Sequence, residues 1–97
     1  MAWLLELQLK DHDDVQRYYI TDGVVTIGRE NCDINIEDEK VSKHHCTLYL
    51  HSEQLSLVDH NSTNGTFVNG FKVEKKELNN LDTVIVGTTR IKVRREK

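Results

Sequence analysis

Short apolar runs with a two-residue period recur along this chain, and no stretch shows the period of an amphipathic helix. In the first run, Trp3, Leu5, Leu7 and Leu9 alternate with mostly polar residues, which predicts a strand with one buried face. Similar runs predict further strands over 16–21, 23–28, 33–36, 45–50, 54–59, 66–68, 71–73, 83–86 and 88–94. The connections are short and polar, so the chain is expected to be all-β.

The strongest turn signal is Asn69-Gly70, because these residue types accept the two positive φ values of a tight type I′ hairpin. It predicts that 66–68 and 71–73 pair as antiparallel neighbours. Proline is absent, so the other turns depend on Gly, Asn and Asp. The pattern predicts a two-sheet β-sandwich of about ten to eleven short, mostly antiparallel strands, with functional loops at one end.

Length and composition limit the chain to a single domain over 1–97. It has no apolar run long enough to span a membrane and no basic leader, so we expect an intracellular protein. A formal net charge of −3 gives no overall attraction to nucleic acid or to an anionic membrane, and neither is an expected partner. The last predicted strand is nevertheless basic and is expected to be a solvated face: it carries Arg90, Lys92, Arg94, Arg95 and Lys97.

Two cysteines, Cys32 and Cys46, could form one disulfide. Because the chain shows no export signal, we expect both thiols to be free and largely buried.

Three polar clusters, at 28–31, 42–46 and 62–66, lie where apolar runs begin or end. They contain what an anion site needs: two cations, two hydroxyl groups and an amide, on Arg29, Lys43, Ser42, Thr63 and Asn64. We therefore predict that the clusters are loops of one phosphate site.

Read together, the segments Ile27-Gly28-Arg29, 41–46, Val58-Asp59, 62–66 and Asn69-Gly70 closely resemble the forkhead-associated (FHA) domain family. The match covers about residues 24–87 in order and spacing. The resemblance implies a β-sandwich that binds phosphothreonine peptides without a cofactor or metal, as an adaptor and not an enzyme. It also implies a nuclear location and a part in DNA-damage or cell-cycle signalling.

The resemblance implies roles for individual residues. Arg29 would hold the phosphate, Ser42 would donate its hydroxyl, and Lys43 would occupy the neighbouring basic position. Thr63 would close the pocket, and Asn64 would hold the peptide main chain. The remaining assignments are structural roles for Gly28, His45, Gly65, Asn69 and Gly70, with the His45 ring bracing the two long binding loops. Specificity candidates near the loops are Glu30, Asn31, His44, His60 and Asn61.

Two positions depart from the family pattern. Lys43 stands where arginine is common, which bears on affinity. Leu81 stands where the late turn often carries glycine, which bears on local backbone shape.

Other classes of function fit these residues less well. A zinc site formed by His44, His45, Cys46 and neighbouring residues lacks metal-ligand spacing, since adjacent strand residues point to opposite faces. A hydrolase using Ser42 or Cys46 lacks a nucleophile elbow and a phosphate loop. The main alternative is a structural sandwich that mediates constitutive protein contact or self-association. An exposed Trp3 or Leu4 would favour a homodimer.

Overall fold

The computed structural model describes residues 2–21 and 23–96, so the predicted Lys97 of the basic strand lies outside the described residues. Within them the chain forms eleven strands and no helix. The strands are β1 (Ala2–Gln8), β2 (Gln16–Ile20), β3 (Gly23–Gly28), β4 (Ile34–Asn35), β5 (Cys46–His51), β6 (Gln54–Asp59), β7 (Thr66–Val68), β8 (Phe71–Val73), β9 (Lys75–Leu78), β10 (Thr83–Val86) and β11 (Thr89–Glu96). No helix in this part of the chain is therefore available to cross a membrane.

The strands form two sheets, which confirms the predicted β-sandwich. The six-stranded sheet has the order β2-β1-β11-β10-β7-β8, and the five-stranded sheet has the order β4-β3-β5-β6-β9. All neighbouring strands with a described register are antiparallel except β3 and β4. The last strand, β11, pairs with the first, β1, in the register Leu5↔Val93.

The core lies between the two sheets and follows the two-residue period of the sequence. Leu5 and Leu7 are 0% and 1% exposed, whereas Glu6 between them lies on the outer face. From the other sheet, Leu55 and Leu57 are completely buried. Burying each such side chain contributes about 1.5–3 kcal/mol, so this alternation is the main source of the fold's stability.

Several predicted boundaries are corrected. Asp33 and Ile36 lie outside the two-residue strand β4, and His45 belongs to a loop that precedes β5. Strand β9 was not predicted because Lys75–Leu78 contains only one apolar residue, Leu78, which pairs with Leu55.

The exposed apolar patch that would favour a homodimer is not present on β1. Trp3 and Leu4 are only 2% and 5% exposed within one chain, so neither offers an apolar patch on β1.

Two turns depend on left-handed backbone. Asn69 and Gly70 have φ values of 51° and 89°, which confirms the predicted type I′ hairpin between β7 and β8. Leu81 has a φ of 72°, a conformation that suits glycine and that strains a leucine. The departure from the family pattern at Leu81 therefore leaves a strained backbone position in an exposed turn.

Candidate functional site

The three polar clusters lie in three loops, β3/β4 (29–33), β4/β5 (36–45) and β6/β7 (60–65), and include the adjoining strand ends at Gly28, Cys46 and Thr66. Backbone hydrogen bonds join the first two loops. The Arg29 N–H donates to the carbonyl oxygens of Ser42 and Lys43 at 3.0 and 3.1 Å. The Glu30 N–H donates to the same Lys43 carbonyl at 3.5 Å. The chain therefore brings its first two clusters into direct contact.

Gly28 lies where these two loops come closest together. A Cβ atom at this position would lie 2.1 Å from the Lys43 carbonyl oxygen and 2.8 Å from Cys32 Sγ. Such distances are impossible between non-bonded atoms, so the contact between the loops requires glycine for its lack of a side chain.

The Arg29 side chain extends along the β4/β5 loop. Its Nη1 donates to the carbonyl oxygens of Val41 at 3.2 Å and Glu39 at 3.5 Å. Among the described residues no carboxylate forms an ion pair with Arg29, and the residue is exposed. An oriented, uncompensated guanidinium group is suited to binding an anion.

The β6/β7 loop is attached to the β4/β5 loop through side chains. The Thr63 N–H donates to Ser42 Oγ at 3.0 Å, and Asn64 Nδ2 donates to the Lys40 carbonyl at 2.8 Å. Because Ser42 Oγ accepts from Thr63, the hydroxyl hydrogen of Ser42 can still be donated elsewhere. All three loops are thus connected through the β4/β5 loop.

His45 bridges the same two loops from inside the protein and is completely buried. Its Nδ1 accepts from the Ser42 N–H at 3.0 Å, and its Nε2 lies 2.9 Å from the Gly65 carbonyl oxygen. Because a carbonyl can only accept, Nε2 is the donor in this contact and Nδ1 is the acceptor from Ser42. Gly65 has a φ of +85°, which favours glycine at this contact.

Asp59 organises the β6/β7 loop and was not among the predicted site residues. Its carboxylate accepts from the Ser62 N–H at 3.1 Å, the Ser62 hydroxyl at 2.6 Å and the Thr66 hydroxyl at 2.7 Å. Burial raises the pKa of Asp59, but the hydrogen bonds from Ser62 and Thr66 outweigh it and hold the pKa below its usual range. The signal in the sequence was an aspartate three residues before a serine, typical of a side-chain-stabilised turn.

Lys43 is exposed and forms an ion pair with Glu30, with 3.5 Å between Nζ and Oε1. Both side chains are more than half exposed, so the pair is weak and a stronger anion can replace Glu30 as the partner of Lys43.

The other specificity candidates are also exposed. Asn31 and Asn61 occupy left-handed turn positions, with φ values of 57° and 52°. His44 Nδ1 lies 3.6 Å from Cys32 Sγ, and His60 Nε2 makes a short contact with Thr47 Oγ1.

Asn69 and Gly70 lie outside the three loops. The Asn69 side chain accepts from the Thr83 N–H and donates to Asp82, both at 2.9 Å. These residues therefore shape the β7/β8 hairpin and its contact with the turn before β10.

The cysteines and histidines do not assemble a metal centre. Both thiols are free, with Cys46 buried and Cys32 partly buried. Burial raises the pKa of the Cys46 thiol to about 12. Within residues 2–21 and 23–96, no group of three or more His, Cys, Asp or Glu side chains is arranged to hold a metal ion.

The fold is an all-β sandwich, and its three joined loops carry cations and hydroxyl groups, a set of groups suited to binding an anion. The family model of the FHA domain matches residues 25–87, and the chain belongs to this family.

The curated relatives come from mycobacteria. The chain is 42% identical over 66 residues to an ABC transporter ATP-binding/permease protein of Mycobacterium tuberculosis, covering 67% of this chain and 8% of the transporter. It is 33% identical over 76 residues to the glycogen accumulation regulator GarA of the same species, covering 77% of this chain and 47% of GarA. The chain thus spans less than half the length of these relatives.

Solved structures show the same fold. One, described in a study of phosphothreonine-dependent FHA domain interactions, has 30% identity and a TM-score of 0.91, covering 100% of this chain and 99% of its own. Another, the FhaA FHA domain complexed with the intracellular domain of a second protein, has 31% identity and a TM-score of 0.86. This match covers 95% of the present chain and 99% of the FhaA chain.

Proposed function

We propose that this domain binds phosphothreonine-containing segments of partner proteins and thereby makes a protein–protein interaction depend on phosphorylation. The observation that carries the proposal is the hydrogen bond from the Thr63 N–H to Ser42 Oγ at 3.0 Å. It joins the loops that bear the hydroxyl groups, and the backbone bonds of Arg29 attach the guanidinium-bearing loop to them.

Phosphothreonine has nearly two negative charges and three acceptor oxygens. In the proposed complex, Arg29 presents a planar fork of donors to two of these oxygens, and Lys43 adds a point charge. Ser42 donates its hydroxyl hydrogen to a phosphate oxygen, and Thr63 closes the pocket. Arg29 is the most important of these residues, because carbonyl groups of the β4/β5 loop already orient it, whereas Lys43 is paired with Glu30.

Asn64 holds the main chain of the bound peptide. Its Nδ2 donates to the Lys40 carbonyl, which fixes the amide plane and leaves Oδ1 to accept from a peptide N–H. Glu30, Asn31, His44, His60 and Asn61 are exposed around the loops and supply contacts to flanking ligand residues.

The comparisons support this proposal at the level of the binding class. A solved relative at 30% identity is described for phosphothreonine-dependent FHA domain interactions. The nuclear location and the DNA-damage or cell-cycle context remain predictions, because the curated relatives above are mycobacterial proteins and bear on neither.

The test is fluorescence anisotropy with one peptide in three forms: phosphothreonine, phosphoserine and unmodified threonine. We expect binding of the phosphothreonine form in the micromolar range, weaker binding of phosphoserine and none of threonine. Losing a charge-assisted bidentate contact costs about 1.5–3 kcal/mol, so Arg29→Ala is expected to weaken binding about 10- to 100-fold. Arg29→Lys is expected to restore only part of the affinity, because it keeps the charge without the fork.

Lys75→Ala is the matched control, since it removes one exposed cation from the edge strand β9, outside the three loops. Equal binding of all three peptides would reject the proposal and favour the constitutive structural role. Release of inorganic phosphate from the peptide during long incubation would instead indicate a hydrolase.

A further inference from the structure

Four cations lie on the outer face of the six-stranded sheet and are called the basic face: Arg17, Arg90, Lys92 and Arg94. On β11, Ile91 and Val93 are each 1% exposed, so the alternate residues of this strand project away from the core. The register places Arg17, Glu6 and Lys92 in one row across β2, β1 and β11. Arg94 and Arg90 lie in the adjacent rows, which gives four cations and one carboxylate within these three rows.

The charges on this face are only partly compensated. Glu6 is bound by Arg17 at 3.2 Å and by a short contact with Arg94, so it neutralises part of their charge. Among the described residues no carboxylate forms an ion pair with Arg90 or Lys92, and Lys92 Nζ donates only to the Thr83 hydroxyl at 3.3 Å. Glu96 lies one row beyond Arg94 on the same face, so four cations stand against two carboxylates, in contrast with a formal net charge of −3 for the whole chain.

The geometry of the face suits an extended partner. A shallow groove of about 240 Å³ is lined by Glu6, Gln8, Val15, Arg90, Lys92 and Arg94. Strand β11 lies between β1 and β10, so a partner cannot add to it as a new strand and must contact its side chains. Its outward cations recur every second residue, about 6.6–6.8 Å apart, and carboxylates at alternate positions of an extended peptide repeat at the same distance.

We propose that the basic face binds an extended acidic segment of a partner protein, independently of the phosphate-binding loops. The surrounding charge favours a short peptide over a long polyanion. Exposed carboxylates follow in the β1/β2 loop at Asp11, Asp13 and Asp14, and Asp11 lines the same depression as Arg90. These carboxylates repel a nucleic acid or an anionic membrane that extends beyond the three rows.

The experiment measures anisotropy of a fluorescein-labelled peptide of about five residues with alternating glutamate and serine, whose three carboxylates match the spacing of Arg90, Lys92 and Arg94. We compare the wild type with Arg90→Gln/Lys92→Gln, which leaves both ion pairs of Glu6 intact. Lys75→Glu is the matched control because it changes the net charge by the same amount on the other sheet. The double variant is expected to bind about five- to tenfold more weakly and the control within about twofold of wild type. Wild-type binding is expected to weaken when NaCl rises from about 50 to about 300 mM.

Thermal unfolding and unchanged affinity for the phosphothreonine peptide verify that the double variant is folded. Because the acidic probe is unphosphorylated, failure of the phosphate proposal would leave this result unaffected. Equal binding of the acidic probe by wild type and the double variant would overturn the inference. Tighter binding of a single-stranded oligonucleotide of equal charge than of the acidic peptide would also overturn the inference. So would self-association of the wild type, measured by light scattering, if the double variant abolishes it.

Discussion

Replacing Gly28 by alanine tests the contact between the β3/β4 and β4/β5 loops. The backbone at Gly28 is not left-handed, so alanine meets no conformational strain there and the whole cost is steric. The new methyl group would lie 2.1 Å from the Lys43 carbonyl oxygen, which forces the two loops apart. Three backbone hydrogen bonds span this gap, from the N–H groups of Arg29 and Glu30 to the carbonyls of Ser42 and Lys43.

The expected cost follows from these contacts. Each hydrogen bond contributes about 1 kcal/mol, and an overpacked site typically costs about 1–3 kcal/mol, so we expect Gly28→Ala to lose about 2–3 kcal/mol of unfolding free energy. For a domain of this size that lowers the Tm by roughly 10–20 °C. Urea unfolding and calorimetry measure the loss. Because Arg29 and Ser42 move apart, phosphothreonine-peptide affinity is expected to fall at least about tenfold.

Gly70→Ala separates steric from conformational effects. Nothing lies within 4 Å of a Cβ at this position, but its φ is +89°. We expect a cost of about 1 kcal/mol from the left-handed backbone alone and no change in peptide affinity. A Gly28→Ala variant with wild-type stability and wild-type phosphopeptide affinity would refute the argument from loop contact.

Three further predictions concern stability and thiol access. Asp59→Asn is expected to lower the unfolding free energy at neutral pH. Because the native pKa of Asp59 is depressed, the loss of unfolding free energy is largest above about pH 4 and shrinks as the pH falls below that value. Urea unfolding that shows an equal loss at about pH 3 would contradict this prediction. Iodoacetamide is expected to modify Cys32 in the folded protein and Cys46 only after denaturation, because Cys46 is buried and burial raises the pKa of its thiol to about 12. Rapid labelling of Cys46 in the native protein, detected by mass spectrometry, would contradict this. Leu81→Gly is expected to raise the unfolding free energy by up to about 1 kcal/mol by relieving a φ of 72°, and a lower Tm would argue against strain there.

The fold was largely predictable from the sequence because its core follows a strict alternation. Leu5, Leu7, Leu55 and Leu57 are buried as that period requires. The strand that was not predicted, Lys75–Leu78, is mostly polar. It forms because its backbone pairs with the edge of β6, and this tertiary contact has no local sequence signal. Local sequence also could not show that the backbone of His45 leaves strand geometry, since its buried ring is held by two loops.

The loops were predictable as polar clusters, but their connections were not. Asp38 accepts from the Thr88 N–H and hydroxyl at 2.8 and 2.9 Å and from the Thr89 hydroxyl at 2.9 Å, across about fifty positions of sequence. No local pattern encodes such a contact. Similarly, the pairing of Glu30 with Lys43 depends on the close approach that Gly28 allows.

The buried ring of His45 has a consequence for ligand capture. One nitrogen meets a donor from the β4/β5 loop and the other meets an acceptor from the β6/β7 loop, so the width of one imidazole sets the separation of these loops. Most of their freedom is lost when the domain folds, before any ligand arrives. A preorganised receptor of this kind loses little additional entropy on association, and ordering of the incoming peptide becomes the dominant entropic cost.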